Sequence, residues 1–244
     1  MARKEPGSRN VIRIKHWPEG DRPRDRLVEK GPETLSDAGI LSILLGSGGE
    51  GKDSLSLARE VLTALGGLRG LFSATYEDLA GMKGIGKAKA AHILAAMEIL
   101  KRHLREPLQK LNLIQNLNDL HQYLSLSMRN LNRQEWRLLY LSQSRHLIAE
   151  EVLLRGEAGV DAIVPREIVR SAHKKKASAL ILAHNQLTGL PKATEEEIHL
   201  TRSLVKACWD EDIPILDHII IGPGGHVSLR RRMPDLFEGE DEVA

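Results

Sequence analysis

The chain has 244 residues, of which 41% are hydrophobic and 28% are charged, and its formal net charge at pH 7 is +2. This composition is typical of a globular protein with room for two domains, and so small a net charge does not itself indicate a nucleic-acid partner. The single cysteine, Cys208, excludes a disulfide framework and a cysteine-rich zinc site.

The sequence gives no sign of a membrane protein. It contains no apolar run as long as a membrane span, and its N-terminus lacks the apolar segment of a signal peptide. We therefore expect a cytoplasmic protein without a membrane partner. Aromatic residues make up only 3% of the chain, which argues against stacking platforms for single-stranded nucleic acid.

The N-terminal part is predicted to be all helical. Residues 1–11 are polar and are expected to be flexible, and apolar residues at helical spacing then predict an all-α domain over residues 12–106. Glycines interrupt this pattern at 46–52. Their spacing does not fit a phosphate-binding Walker motif, so we interpret this segment as an interhelical loop.

A Gly-Ile-Gly turn lies between two predicted helices near residue 85. This arrangement resembles the helix-hairpin-helix module, in which glycines let backbone amides approach a DNA phosphate. The residues that would contact DNA are Gly84, Ile85, Gly86, Lys87 and Lys89. The alternative is a tight helix connection with its isoleucine in the core and its lysines in solvent. DNA is therefore a candidate partner only.

The C-terminal part is predicted to be an α/β domain with a mixed sheet. We expect Pro107 to end the preceding helix, residues 107–113 to form a linker, and residues 114–232 to form the domain. Residues 233–244 form an acidic tail that is expected to be disordered. The predicted elements are a hairpin over 135–154, a helix from 165, a buried strand over 177–184, a helix over 194–211, and strands over 213–221 and 226–230.

Three segments of this second part carry a family resemblance, and they are Pro165–Val169, Ala179–Asn185 and Leu216–Gly222. Their order resembles the RadC family, over roughly residues 12–232. The resemblance implies a helix-hairpin-helix region followed by a JAMM (MPN-type) metallopeptidase-like domain of cytidine-deaminase-like fold. It also implies a zinc cofactor and an association with DNA repair.

The JAMM pattern is an upstream glutamate, then His-x-His, seven residues, a serine, two residues and an aspartate. Mapped here, the metal ligands would be His184, Gln186 and Glu197. Thr194 stands at the serine position, where a hydroxyl would help to hold an oxyanion. Glu151 is chosen as the glutamate that would act as general acid and base on a zinc-bound water, with Glu150 as its competitor on the opposite face of the strand.

The departures from this pattern affect the metal ligands most. Gln186 offers a neutral amide in place of an imidazole, and Glu197 lengthens a carboxylate by one methylene. His218 and Asp217 are the only candidates to be recruited as a replacement. We therefore expect a degenerate site that holds no zinc tightly.

Three functions remain open. The first is a zinc-dependent peptide or isopeptide hydrolase with a non-standard ligand set. The second is a metal-free DNA-associated module, and the third is a scaffold for a protein partner. Because the ligand set is incomplete, we favour a catalytically impaired protein that associates with DNA or serves as a scaffold, with the functional hydrolase as the alternative.

Overall fold

A computed structural model describes residues 14–49, 51–156 and 159–238, apart from the side chain of Lys15. The chain divides into two compact units between Met97 and Glu98. The predicted flexible N-terminus and residues 239–244 of the predicted tail lie outside the described ranges. Within those ranges no helix has the length and apolar character needed to cross a membrane.

The described part of the first unit is helical, as the sequence predicts, with 3₁₀ turns at Ile14–His16 and Pro32–Thr34. Polar caps set where several helices begin: Ser36 accepts a hydrogen bond from Gly39 N, and Asp53 accepts one from Ser56 N. The helices are α1 (Pro23–Lys30), α2 (Asp37–Leu45), α3 (Ser54–Leu65), α4 (Leu68–Ser73), α5 (Tyr76–Ala80) and α6 (Lys87–Lys110), the last of which continues into the second unit.

Helix α6 does not end at Pro107, and the prediction that it would was wrong. A proline inside a helix costs about 3 kcal/mol because a backbone hydrogen bond is lost. Leu108 is fully buried in the core of the second unit, where Leu104 also packs. Burying such side chains contributes about 2 kcal/mol each, which offsets the cost of the proline. The division between the units therefore falls inside a helix rather than in the predicted linker 107–113.

The second unit is built on a five-stranded mixed sheet. Its strands are β1 (Glu135–Leu141), β2 (Leu147–Arg155), β3 (Ala179–Asn185), β4 (Ile215–Gly222) and β5 (Gly225–Ser228), in the spatial order β2-β1-β3-β4-β5. Strands β3 and β4 are parallel, and the other neighbouring pairs are antiparallel. The mixed sheet is confirmed. The helices of this unit are α7 (Leu117–Met128), α8 (Pro165–Lys175), α9 (Glu195–Trp209) and α10 (Leu229–Arg232), with 3₁₀ turns at Val160–Ala162 and Pro234–Phe237.

Every residue of β3 is buried, because helices cover both faces of the sheet. Successive side chains on a strand point to opposite faces. Leu182 packs in a core with residues of α8 and α9, whereas Ile181 and Ala183 pack in a second core with residues of α6 and α7. This alternation places His184 on the α8/α9 face and Asn185 on the α7 face.

Two predictions near the C-terminus were wrong. The last strand ends at Ser228 rather than at residue 230, because the Ser228 hydroxyl accepts a hydrogen bond from Arg231 N and so caps α10. The tail is ordered as far as residue 238, where Leu236 and Phe237 are buried in the core on the α8/α9 face. Apolar burial orders this part of the tail in spite of its charged neighbours.

Asn185 joins the end of β3 to the start of β1. Its Oδ1 accepts a hydrogen bond of 2.7 Å from Glu135 N, and its Nδ2 donates one of 3.1 Å to Arg133 O. We predict that Asn185→Ala lowers the free energy of unfolding by about 2 kcal/mol, because it leaves the buried N–H of Glu135 without a partner. Urea denaturation would measure this loss. The exposed Asn132→Ala is the matched control, and an equal effect of both substitutions would contradict the prediction.

Candidate functional site

His184 lies near the end of β3 and is completely buried. It stands opposite Trp136 in the antiparallel register of β1 and β3. The two rings stack with centroids 4.0 Å apart and an interplanar angle of 15°. The indole thus covers one face of the imidazole and excludes water from it.

Both nitrogens of His184 face other side chains. Its Nδ1 lies 2.8 Å from Nε2 of His218, which is on the same face of the neighbouring parallel strand β4. Its Nε2 lies 2.9 Å from Oε1 of Glu197, within ion-pairing distance. That Nε2 is shielded from solvent and is not aligned for a hydrogen bond with any group in the described ranges.

The positions of two protons follow from the contacts of Thr201. Its hydroxyl donates to the carbonyl oxygen of Glu197 at 2.7 Å, so its oxygen accepts from Nδ1 of His218, also at 2.7 Å. Burial lowers the pKa of His218 far below its usual value, and the neighbouring His184 lowers it further. His218 is therefore neutral, and its unprotonated Nε2 accepts a hydrogen bond from Nδ1 of His184.

Glu197 is held by the helix that it helps to begin. Thr194 and Glu197 form a capping box, in which Thr194 Oγ1 accepts from Glu197 N at 3.2 Å and Glu197 Oε2 accepts from Thr194 N at 2.8 Å. Burial raises the pKa of the Glu197 carboxyl, but the contact with His184 and the bonds from Thr194 outweigh burial and place the pKa below its usual value. Glu197 is an anion with both oxygens engaged.

Gln186 is bonded to the backbone of the loop that follows it. Its Nε2 donates to Lys192 O at 2.7 Å, and its Oε1 accepts from Lys192 N at 3.0 Å. An imidazole could not make this pair of bonds with the N–H and C=O of one residue, since it has no adjacent donor and acceptor. The amide therefore closes the loop between β3 and α9, and neither end of it is left for a metal ion.

Glu151 lies on the same face as His184 but two strands away, on β2. Its Oε2 accepts hydrogen bonds from Lys175 Nζ at 2.7 Å, Tyr140 OH at 2.7 Å and Ser171 Oγ at 3.0 Å. Lys175 first, and then Tyr140, hold the pKa of this carboxyl below its usual range. The structure thus brings together His184, Thr194 and Glu197 but places the Glu151 carboxylate in a separate cluster.

Glu150 faces the other way, as the strand alternation predicts. It pairs with Arg137 at 2.9 Å and accepts a hydrogen bond of 2.5 Å from Tyr123 OH on α7. Neither glutamate of this pair therefore has a carboxylate bonded to the His184 cluster.

The residues present do not fit a zinc ion. A catalytic zinc site needs three protein ligands directed at one point, with a fourth position open to water. Here Nε2 of His184 and Oε1 of Glu197 converge on each other, Gln186 is bonded to its own loop, and His218 is bonded to His184. Among the described residues, no group of three or more His, Cys, Asp or Glu side chains is arranged to hold a metal ion.

Sequence reasoning missed two members of this cluster, Trp136 and Thr201. Thr201 lies four residues after Glu197, and residues at this spacing share one face of a helix. That spacing was a usable signal. The position of Trp136 depends on the register between two strands whose residues lie far apart in the sequence, so no local pattern indicated it.

The predicted DNA-contact residues of the first unit are also brought together. Gly84 has a φ of +89°, and a Cβ there would lie 3.1 Å from Leu57 Cδ1, so a side chain would be both strained and crowded. Ile85 is buried in the helical core. Lys89 donates from Nζ to the carbonyl oxygens of Gly48 and Gly84, each at 2.9 Å.

Gly86 and Lys87 are exposed at the start of α6. Gly86 O accepts the hydrogen bond from Ala90 N. The first amides of a helix have no partner within it, and glycine has no side chain that could cap them. This turn therefore presents unobstructed backbone, whereas the Lys89 ammonium is used inside the unit.

Comparisons with known proteins cover most of the chain. A family described as UPF0758 N-terminal matches residues 14–91, and a family described as RadC-like JAB domain matches residues 114–234. A UPF0758 protein of Alteromonas mediterranea is 37% identical over 219 residues, which cover 90% of this chain and 97% of that protein. A UPF0758 protein of Halorhodospira halophila is 39% identical over 219 residues, which cover 90% of this chain and 98% of that protein.

The Thr201 hydroxyl links His218 to helix α9, and its removal tests that link. We predict that Thr201→Val lowers the free energy of unfolding by about 2 kcal/mol, because the buried N–H of His218 loses its acceptor while the side-chain volume is retained. The transition can be followed by urea denaturation. Thr201→Ser keeps the hydroxyl and should retain most of the stability, and equal losses in the two variants would refute this role.

Proposed function

The chain belongs to the UPF0758 (RadC) family, and on that basis we propose that it is a DNA-associated or scaffolding protein whose JAMM-type domain is catalytically impaired. In this proposal the C-terminal JAB domain keeps the cytidine-deaminase-like arrangement of its family and has lost its metal centre. The N-terminal helical region contributes a helix-hairpin-helix contact to DNA.

The closed state of the His184 cluster carries the proposal. A JAMM-type hydrolase needs a metal-bound water that the substrate can reach and a base that can take its proton. His184 has no exposed surface and Glu197 is only 4% exposed. Their contact, together with the His184–His218 bond and the stack on Trp136, occupies the place where a metal and its water would lie.

The substitution at Gln186 is consistent with this loss. A hydrolase would need this side chain to turn inward as a metal ligand, which would break two hydrogen bonds to Lys192. An amide oxygen binds zinc weakly in return. Glu197 is likewise suited to its capping box, because a glutamate at the third helical position reaches back to the N-cap amide.

The turn at residues 84–86 supports the DNA contact. Backbone amides at a helix N-terminus attract a phosphate, and the exposed Lys87 adds a sequence-independent attraction. Lys89 has a different part in this proposal. By bonding to Gly48 O and Gly84 O it holds the turn in shape rather than meeting the DNA backbone itself.

Metal content tests the impaired site. We predict that the purified chain holds zinc at well below one equivalent and that Gln186→His increases zinc affinity, because it supplies a third side-chain ligand. Elemental analysis and competition with a chromogenic chelator would measure both. One equivalent of zinc in the unaltered chain that is lost on His184→Ala would establish the alternative, a hydrolase with a non-standard ligand set. No gain from Gln186→His would show that this glutamine is not what excludes zinc.

DNA binding tests the N-terminal contact. We predict weak, salt-sensitive and sequence-independent binding to a duplex. In Lys87→Glu the slope of log affinity against log salt should become less negative by about one. Fluorescence anisotropy over a range of salt concentrations would measure it. Lys30→Glu on α1 makes the same change of charge at another exposed lysine of this unit. Equal behaviour of the two variants would remove the Gly84–Gly86 turn from the DNA contact.

A further inference from the structure

A second polar cluster lies on the face of the sheet opposite to His184. His226 on β5 stands opposite Ile221 of β4, and Ile221 belongs to the core on the α7 side. His184 stands opposite Ile220, which belongs to the other core. The sheet therefore separates the two clusters, and the second cluster is not part of the His184 site.

This cluster surrounds a pocket of about 330 Å³. The rings of His121 on α7 and His226 are 3.9 Å apart between centroids and tilted by 33°. Nε2 of His121 is shielded from solvent and has no hydrogen-bond partner within the described ranges. The pocket is lined by His121, His226, Val227, Ser228, Arg231 and Arg232. It is thus an open pocket, lined by the exposed His226, Arg231 and Arg232, beside an unused polar atom.

Positive charge around the pocket is not neutralised by ion pairs. Within the described ranges, Arg231 and Arg232 have no carboxylate partner, and neither does Arg129, whose charge acts on His226. The acidic group that acts on His226 is Asp217. Its carboxylate accepts hydrogen bonds from Ser228 Oγ at 2.6 Å and from the backbone amides of residues 218 and 230.

Asp217 serves to position the basic residues. Ser228 Oγ donates to Asp217 and accepts from Arg231 N at 3.2 Å, so the buried carboxylate fixes the turn from which Arg231 and Arg232 extend. Burial raises the pKa of the Asp217 carboxyl, against the hydrogen bonds that it accepts. The rim of the pocket is thus anchored by hydrogen bonds to the carboxylate.

We propose that this pocket binds a phosphate group, either as inorganic phosphate or as the monoester of a small molecule. Guanidinium groups recognise phosphate oxygens through paired, charge-assisted hydrogen bonds, and an imidazole N–H adds a further donor. A pocket of about 330 Å³ is at the small end of the range for ligand sites, which suits a phosphate with a modest organic group. A duplex DNA backbone is a poorer occupant, because a small pocket accommodates one phosphate rather than a continuous strand.

The histidines should couple binding to protons. Burial lowers the pKa of His121 to about 4, and His226 and Arg231 contribute to that shift. Burial also lowers the pKa of His226, with Arg129 and Arg231 adding to the effect against Asp217. Both imidazoles are therefore neutral at pH 7. A bound phosphate would favour their charged forms, so the two imidazoles should take up protons when it binds.

Calorimetry with inorganic phosphate, at constant ionic strength, tests the site directly. We predict saturable binding that weakens by about tenfold or more in Arg231→Gln with Arg232→Gln, because charge-assisted bonds are lost. The matched control is Arg166→Gln with Arg170→Gln, which removes the same charge from exposed positions on α8. Equal losses in the two double variants, or no saturable binding by the unaltered chain to inorganic phosphate or to a nucleoside monophosphate, would overturn the proposal.

Two further measurements distinguish a phosphate monoester from free phosphate and test whether the ligand binds in this pocket. A nucleoside monophosphate that binds more tightly than inorganic phosphate indicates a monoester, and equal affinities indicate free phosphate. Binding of the unphosphorylated nucleoside with the same affinity would overturn the proposal, since phosphate would then not be recognised. Proton uptake, measured in two buffers of different ionisation enthalpy, should be smaller in His121→Phe than in the unaltered chain, because one of the two imidazoles is removed while phosphate is the same in both. Uptake that is unchanged in this variant would show that phosphate binds elsewhere.

Discussion

The C-terminal domain depends on a ring of contacts that begins and ends at one residue. From the Glu197 carbonyl the ring runs through the Thr201 hydroxyl, His218 and His184, and returns to the Glu197 carboxylate. Burying a polar group costs several kcal/mol unless it has a partner, and in this ring the Thr201 hydroxyl, both nitrogens of His218 and Nδ1 of His184 have hydrogen-bond partners. Strands β3 and β4 and helix α9 are thereby fixed to one another by side chains that a hydrolase would use for a metal.

Under the proposal that the metal centre is lost, the ring explains why that loss need not destabilise the fold. Removal of a metal from a buried site usually leaves unpaired ligands, which is costly. Here the protons of His218 and His184 are assigned by their neighbours, and Trp136 covers one face of the His184 imidazole. Gln186 lies outside the ring and stabilises the loop between β3 and α9 through its bonds to Lys192. The remaining imperfection is Nε2 of His184, which lies 2.9 Å from Oε1 of Glu197 but is not aligned for a hydrogen bond.

The sequence predicted those parts of the structure that follow from local pattern. The apolar run ending at His184 predicted the buried strand, and alternation along β2 correctly placed Glu150 and Glu151 on opposite faces. The helix start at Thr194 followed from its capping chemistry. Contacts between residues that lie far apart in the chain could not be predicted from local sequence patterns. Lys89 was expected at a DNA backbone because it lies beside the Gly84–Gly86 turn. Its bond to Gly48, 41 residues earlier, could not be foreseen, since nothing in the surrounding sequence indicates it. Likewise, the burial of Leu108 that carries α6 past Pro107 is decided by tertiary packing.

The two polar networks of the domain meet in a single dipeptide. Asp217 and His218 are neighbours on β4, and strand geometry directs their side chains to opposite faces of the sheet. His218 completes the closed ring on the α8/α9 face, whereas Asp217 holds Ser228 and the start of α10 beside the basic pocket on the α7 face. The Asp217 carboxylate also accepts the backbone N–H of His218. Because the histidines of the first network are bonded to each other and to Thr201, whereas the arginines on the other face lack carboxylate partners among the described residues, the first network is suited to stability and the second to a ligand.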